Sequence, residues 1–178
     1  MSLPHPEILD QRTRRRIFET VGSQPGASAR DIQRALGLGW GETAYHLDRL
    51  TRNGLLRRER LGRRDAYFQV QVDWEDRKIL LALRSPTAAR LLGTLGSQGD
   101  LSFAELEQRL RVTKSTVSYH LSHLILSGLV VPVMSPQGRR FHLSDPSRVL
   151  SLMGRYRAGA RGTWLDQILE TWGTLLSE

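Results

Sequence analysis

The chain has 178 residues, a mass of 20.2 kDa and no cysteine, which excludes disulfides, thiolate chemistry and cysteine-ligated metal sites. Its 26 basic and 18 acidic residues give a net charge of +8 and a pI near 10.9, which favours an anionic partner such as nucleic acid. Residues 1–7 lack the pattern of a signal peptide, and the longest apolar run, residues 79–83, is too short to cross a bilayer. We therefore expect a cytoplasmic protein with no membrane partner.

An internal repeat organises the sequence. Shifted by 74 residues, the chain aligns to itself without a gap, and residues 16–68 are identical to residues 90–142 at 13 of 53 positions. The two copies of this unit are followed by about 30 residues at the carboxyl end. The predicted domains are residues 1–76, residues 77–146 and a C-terminal helical segment, residues 147–178.

Each copy predicts three helices in the same order. The first helix covers residues 13–21 in copy one and 86–95 in copy two, and a glycine follows each. A capping-box pattern begins the second helix at Ser28 and at Ser102. After a short turn comes the third helix, whose apolar residues recur at helical spacing, as Val117 and the leucines after it do in copy two.

A β-hairpin is predicted after each third helix. In copy one, residues 55–60 and 65–72 flank a turn at Gly62, and in copy two, residues 129–134 and 139–143 flank a glycine-containing turn. Three helices followed by a hairpin are typical of a winged helix-turn-helix. The expected fold is therefore mainly α with small β-hairpin wings (α+β): two tandem winged helix-turn-helix domains plus C-terminal helices.

A family resemblance is carried by residues 117–130, Val-Ser-Tyr-His-Leu-x-x-Leu-x-x-x-Gly-Leu-Val, and 43–56, Thr-Ala-Tyr-His-Leu-x-x-Leu-x-x-x-Gly-Leu-Leu. Both segments resemble the third helix and first wing strand of ArsR-like and MarR-like regulators. Over about residues 10–144, the two-copy layout resembles archaeal regulators with tandem winged-helix domains. The resemblance implies a DNA-binding transcriptional regulator, and we expect no cofactor.

The expected DNA contacts follow from the way a helix-turn-helix docks, with its third helix in the major groove. Copy two presents a cationic, hydroxyl-rich outward face, whereas Glu42 and Asp48 make copy one the weaker base reader. Arginines near the wing turns suit phosphates or a narrow minor groove. The predicted contacts are Lys114, Ser115, Thr116, Ser118, Tyr119 and Ser122 in copy two, Trp40, Glu42, Thr43 and Tyr45 in copy one, and Arg57, Arg58, Arg60, Arg63, Arg64, Arg139 and Arg140 in the wings.

The end of the chain predicts an amphipathic helix over residues 163–178. Its apolar stripe has two possible partners, namely the chain's own domains or a second protomer, and we favour a homodimer. Membrane-surface binding is disfavoured because the polar face carries no lysine or arginine. The residues expected at the dimer interface are Leu165, Ile168, Leu169, Trp172 and Leu176.

The sequence contains no motif typical of a metal-binding protein or of an enzyme. His120 and His123 lie three residues apart, but two ligands do not make a specific metal site, so the histidines are expected to be structural and no metal is expected. No catalytic triad motif, phosphate-binding glycine loop or HExxH motif occurs, so no enzyme is expected. A sequence-nonspecific architectural nucleoid protein and a winged-helix interaction scaffold remain the alternatives to a regulator, and no small-molecule effector is identified.

Overall fold

The computed structural model describes residues 11–61 and 64–159, and the side chains of 61 and 156–159 are not described. The chain divides into two compact units, with the boundary between Arg77 and Lys78. Helices dominate both units, and each unit has a small antiparallel sheet. The predicted fold class, mainly α with β-hairpin wings, is confirmed.

The first unit contains three helices and a hairpin in the predicted order. They are α1 (Arg12–Ser23), α2 (Ala29–Leu36), α3 (Trp40–Arg52), β1 (Leu56–Leu61) and β2 (Arg64–Gln69). The strands pair antiparallel from Leu56 with Gln69 to Leu61 with Arg64. Prediction carried the second strand to residue 72, but pairing ends at Gln69.

A further helix, α4 (Trp74–Leu83), crosses the boundary between the units and was not predicted from the sequence. Its Arg77 is buried, forms an ion pair with Glu59 of β1 and donates a hydrogen bond of 2.6 Å to the carbonyl oxygen of Val72. The guanidinium also lies 5.5 Å from the centre of the Trp74 ring. A charged side chain can be buried here because each of these partners offsets its loss of hydration.

The second unit repeats this arrangement and adds a third strand. Its elements are α5 (Pro86–Gln98), β3 (Leu101–Ser102), α6 (Phe103–Leu110), α7 (Lys114–Leu126), β4 (Val130–Ser135), β5 (Gly138–Leu143) and α8 (Pro146–Gly159). The sheet order is β3-β5-β4, so β4 is an edge strand. The very short β3, which was not predicted, pairs with β5 through Leu101 and Phe141.

The two cores are built from equivalent positions. In the first unit, Ile17 and Val21 of α1 pack with Ile32 of α2 and with Leu47 and Leu50 of α3. The second unit buries leucines of α5 and α6 with the inner face of α7. The buried residues at those positions are Leu91, Leu95, Leu106, Leu121 and Leu124.

Two polar interactions recur at the same places in both units. The predicted capping boxes form: the Asp31 amide donates to the Ser28 hydroxyl (3.2 Å), and the Ser28 amide donates to the Asp31 carboxylate (3.0 Å). The box at Ser102 forms in the same way. Each unit also has an arginine that donates to the last carbonyl of its second helix. These bonds join Arg16 to the Leu36 carbonyl at 3.5 Å and Arg90 to the Leu110 carbonyl at 2.6 Å.

Candidate nucleic-acid interface

Helix α7 presents most of the predicted contact residues to solvent. Val117, Leu121 and Leu124 are buried, which turns the opposite face of the helix outward. Tyr119 is 60 % exposed on that outward face. The other exposed residues of the predicted set are Lys114, Ser115, Ser118 and Ser122.

Several hydroxyl groups at the start of α7 form hydrogen bonds with one another. Thr113 is the N-cap and accepts from the Thr116 amide, and its hydroxyl oxygen lies 2.8 Å from that of Thr116 and 3.1 Å from that of Ser115. The Ser122 hydroxyl donates to the backbone carbonyl of Ser118. Within the described residues, the Ser118 hydroxyl has no hydrogen-bond partner and Lys114 forms no ion pair. Ser118 and Lys114 are therefore the most available polar groups of α7.

Tyr119 lies between two histidines. The centre of its ring is 5.1 Å from that of His120 and 4.5 Å from that of His123, and both pairs meet edge to face. Burial lowers the pKa of His120, and the neighbouring His123 lowers it further. The ring contacts restrain Tyr119 on the outward face of the helix.

Helix α3 of the first unit departs from this pattern. Trp40 is 55 % exposed, and Glu42 and Tyr45 are also on the outward face. Thr43 was predicted to contact DNA, but it is fully buried and donates a hydrogen bond of 2.9 Å to the Gly39 carbonyl. That prediction is wrong because Thr43 belongs to the inward stripe of the helix.

The first wing carries two kinds of arginine. Asp65 lies 3.9 Å from Arg58 and 3.3 Å from Arg60, so one carboxylate partly neutralises both guanidiniums. Arg57 and Arg64 are exposed and have no ion pair within the residues that the structure describes. The fifth predicted arginine, Arg63, lies outside the described residues.

The second wing offers fewer cations than the sequence predicted. Arg140 donates to the Asp100 carbonyl (2.6 Å) and pairs with the Glu105 carboxylate (3.3 Å), so its guanidinium bonds within the unit rather than reaching into solvent. The prediction of Arg140 as a free wing contact is therefore corrected. Arg139 remains exposed, and its guanidinium lies 5.5 Å from the centre of the Phe141 ring.

A depression lies between the starts of the second and third helices in each unit. In the second unit it is lined by Phe103, Thr113, Lys114, Ser115 and Ser118. In the first unit the equivalent surface is lined by Ser28, Ala29, Arg30, Asp31, Arg34, Trp40, Arg64 and Asp65. Phe103, Arg30 and Arg34 are absent from the sequence-predicted set. The spacing of Arg30 and Arg34, one turn apart beside a capping box, is the pattern that could have identified them.

The predicted dimerisation residues, Leu165, Ile168, Leu169, Trp172 and Leu176, all lie outside the described residues. Within residues 11–61 and 64–159, no three of the His, Asp and Glu side chains come together as a metal-ion site. In the same ranges, no helix has both the length and the apolar composition needed to cross a membrane.

The chain matches two family models, which meet within a few residues of the boundary between its two units. Residues 11–80 match an N-terminal HTH domain, and residues 84–140 match the MarR family. No curated protein sequence matches the chain. Together with the helices and wings described above, the matches show two tandem winged helix-turn-helix units, the second of which is similar to the MarR family.

Two of the solved structures similar to the chain match a little under half of it. HlyU from Vibrio cholerae is 26% identical, with a TM-score of 0.41, and the match covers 47% of this chain and 90% of HlyU. The transcriptional repressor BigR from Xylella fastidiosa is 25% identical, with a TM-score of 0.41, and the match covers 47% of this chain and 85% of BigR. Because both TM-scores are low, the fold assignment depends on the elements themselves and on the two family models.

Proposed function

We propose that this tandem winged helix-turn-helix protein is a DNA-binding transcriptional regulator that works without a cofactor. The observation that carries the proposal is the composition of helix α7. Its outward face carries Lys114 and exposed hydroxyl groups, and its inner face is apolar and buried. Such a helix suits the major groove, because small polar side chains reach base edges and a lysine reaches phosphate or guanine. Double-stranded DNA on the nucleoid, in the cytoplasm, is the partner that we propose.

The first unit is proposed to hold the DNA backbone or enter a narrow minor groove. Arg57 and Arg64 are exposed and have no ion pair among the described residues, and guanidiniums of this kind bind phosphates bidentately. Arg30 lies along the same depression as Arg64, whereas the guanidinium of Arg34, also in that lining, lies 3.6 Å from the Asp31 carboxylate. These contacts fix register and affinity but carry little sequence information.

A second candidate function, architectural binding without sequence preference, is favoured by helix α3. Its exposed face carries Glu42 and Asp48 where the negative phosphates of DNA would approach, and Asp48 is already paired with Arg52 at 2.9 Å. Thr43 is buried and unavailable. A protein in which neither recognition helix reads bases would coat DNA through its arginines alone.

The test is a selection of binding sites from random duplexes, followed by titration of selected and random DNA at one salt concentration. A regulator binds the selected duplex at least about a thousandfold more tightly than random DNA. We expect Ser118→Ala to change the selected sequence more than Glu42→Ala does, because Ser118 has an uncommitted hydroxyl on the base-reading helix. Ser97→Ala, on α5, removes the same group away from the helix-turn-helix and is the matched control.

The outcomes separate the candidates. Equal affinity for selected and random duplexes supports the architectural role, and a dominant effect of Glu42→Ala assigns base reading to the first unit. Absence of binding to either duplex at low salt contradicts both candidates, since arginine–phosphate contacts are strongest there.

A further inference from the structure

Phe103 is a half-buried aromatic side chain with no counterpart in the first unit. It is the first residue of α6, directly after the capping-box serine Ser102, so the cap fixes where its backbone lies. The ring lines the depression shared with the start of α7. The position equivalent to Phe103 in the first unit is Ala29, which likewise follows a capping-box serine.

The comparison between the units shows that the ring is not needed to form the helix. Helix α2 has the same length as α6, the same type of capping box and the same buried isoleucine or leucine four residues after the cap, yet begins with alanine. Phe103 is also not fully buried in the core of its unit. Its partly exposed ring instead faces the depression beside the start of α7, where a partner lying along that helix would meet it.

The surroundings of the ring define what it can contact. Lys114 and the Ser118 hydroxyl are exposed on the α7 side of the depression, and Phe103 supplies its aromatic side. Lys114 forms no ion pair among the described residues, and its positive charge favours a polyanionic partner beside the depression. In the major groove of duplex DNA, the apolar group available to such a surface is the 5-methyl of thymine.

We propose that Phe103 is a specificity-determining residue that contacts a thymine methyl while α7 lies in the major groove. The inference rests on the proposed function, because it requires that α7 face duplex DNA. It assigns methyl recognition to the second unit alone. In the equivalent depression of the first unit, Ala29 takes the position of Phe103, and the lining mixes arginines with Asp31 and Asp65.

The experiment replaces each thymine of the selected duplex, one at a time, by deoxyuridine, which keeps the base pair and removes only the methyl group. For the full-length protein, one replacement is expected to weaken binding about fourfold, the value of one buried methyl-sized group. Phe103→Ala is expected to bind the thymine and uridine duplexes equally. Phe103→Leu keeps an apolar contact and retains part of the difference.

The controls distinguish this inference from the function on which it rests. Leu126→Ala removes an exposed apolar side chain at the opposite end of α7 and is expected to preserve the thymine–uridine difference. A wild-type protein that binds the selected duplex specifically but tolerates every uridine overturns the role of Phe103 and leaves the regulator proposal standing. The same uridine penalty in wild type and Phe103→Ala also overturns it. If the wild-type protein prefers no duplex, both the role of Phe103 and the regulator proposal are contradicted. A thermal melt of each variant confirms that it folds.

Discussion

At the residue scale, Gly37 and Arg111 occupy the same position, the left-handed residue that ends the second helix of each unit. Gly37 has φ of 66°, and Arg111 has φ of 50°. Arg111 is the one non-glycine residue with positive φ among those that the structure describes. Side chains with a β-carbon pay about 1–2 kcal/mol in this region of φ and ψ, whereas glycine does not. The second unit therefore carries strain that the first avoids.

We predict that Arg111→Gly raises the free energy of unfolding by up to about 1 kcal/mol, because relief of the strain exceeds the added freedom of the unfolded chain. Thermal or urea unfolding of the two proteins measures the change. Arg109→Gly, which removes the same charge inside α6, is expected to lower stability by about 1 kcal/mol. Equal or lower stability of Arg111→Gly would show that Arg111 is held without strain.

The buried histidine of the first unit, His46, makes stability depend on pH. It is 4 % exposed, and its Nδ1 has no hydrogen-bond partner. Burial lowers the pKa of His46, Glu42 opposes this shift, and Arg14 adds to it. Below the unfolded-state pKa of about 6.5, the unfolded chain binds a proton more readily than the folded chain does. Stability is therefore complete above this pH and declines as the pH falls through it.

We predict that His46→Gln makes the loss of stability in acid less steep, because glutamine does not titrate. The free energy of unfolding is measured by urea titration at intervals from pH 8 to pH 5. Above about pH 7.5 the difference between wild type and variant is constant, and it shifts in favour of the variant as the pH falls. Parallel curves over the whole range would contradict a titrating role for His46.

At the element scale, local signals determined much of what the sequence could predict. Capping boxes and hairpin strands are encoded by neighbouring residues, and these elements form as expected. The predicted ends of the first helices are wrong: α1 continues past Gly22 to Ser23, and α5 continues past Gly96 to Gln98. Helix α4 lies outside the repeat, so no second copy supported it, and β3 has only two residues, too few for a strand pattern. Its pairing with β5 depends on residues about 40 positions away, which local pattern does not contain.

The errors in the predicted site have the same origin at two positions. Thr43 aligns with Val117, a core residue, so the repeat itself places Thr43 inward although its side chain is polar. Arg140 aligns with Ala66, which is buried, and its guanidinium is drawn to Glu105 and Asp100. Because both residues are polar, residue type alone predicted a side chain exposed to solvent or to DNA. The register of the helix and of the strand instead turns both side chains toward the protein.

The first wing is a hairpin in which one carboxylate restrains two cations. We predict that Asp65→Asn strengthens binding to any duplex and steepens its salt dependence by about one unit, because the carboxylate beside Arg58 and Arg60 no longer offsets their charge. Binding of one random duplex is titrated between 50 and 200 mM salt, roughly the range in which counterion release is measured. Glu19→Gln changes the net charge equally on the exposed face of α1 and is expected to leave the slope nearly unchanged. Equal slopes for all three proteins would remove wing one from the interface.

At the scale of the whole molecule, the two units divide cationic charge differently. Residues 77–148 hold 10 basic and 4 acidic residues, whereas residues 1–76 hold 13 and 11. Yet the exposed wing arginines belong mainly to the first unit, and in the second unit Val131, Val133 and Met134 take the positions that align with Arg57, Glu59 and Arg60. We therefore propose that the first unit contributes mainly backbone contacts and the second mainly base contacts, so that affinity and sequence preference come from different units.

The last prediction concerns residues 163–178, whose sequence carries apolar residues at spacings of three and four and which we propose to join two protomers. Deleting them is expected to leave both described units folded, because each has its own buried core. The dimer would become a monomer, and affinity for a selected duplex with two half-sites would fall by about a hundredfold or more through lost bivalency. Sedimentation and DNA titration of both proteins measure these effects.

The full-length Leu169→Ala, Leu176→Ala double variant is expected to behave like the deletion. A full-length protein that is monomeric at micromolar concentration would contradict the dimer, and affinity for the two half-sites would then be unaffected by the deletion.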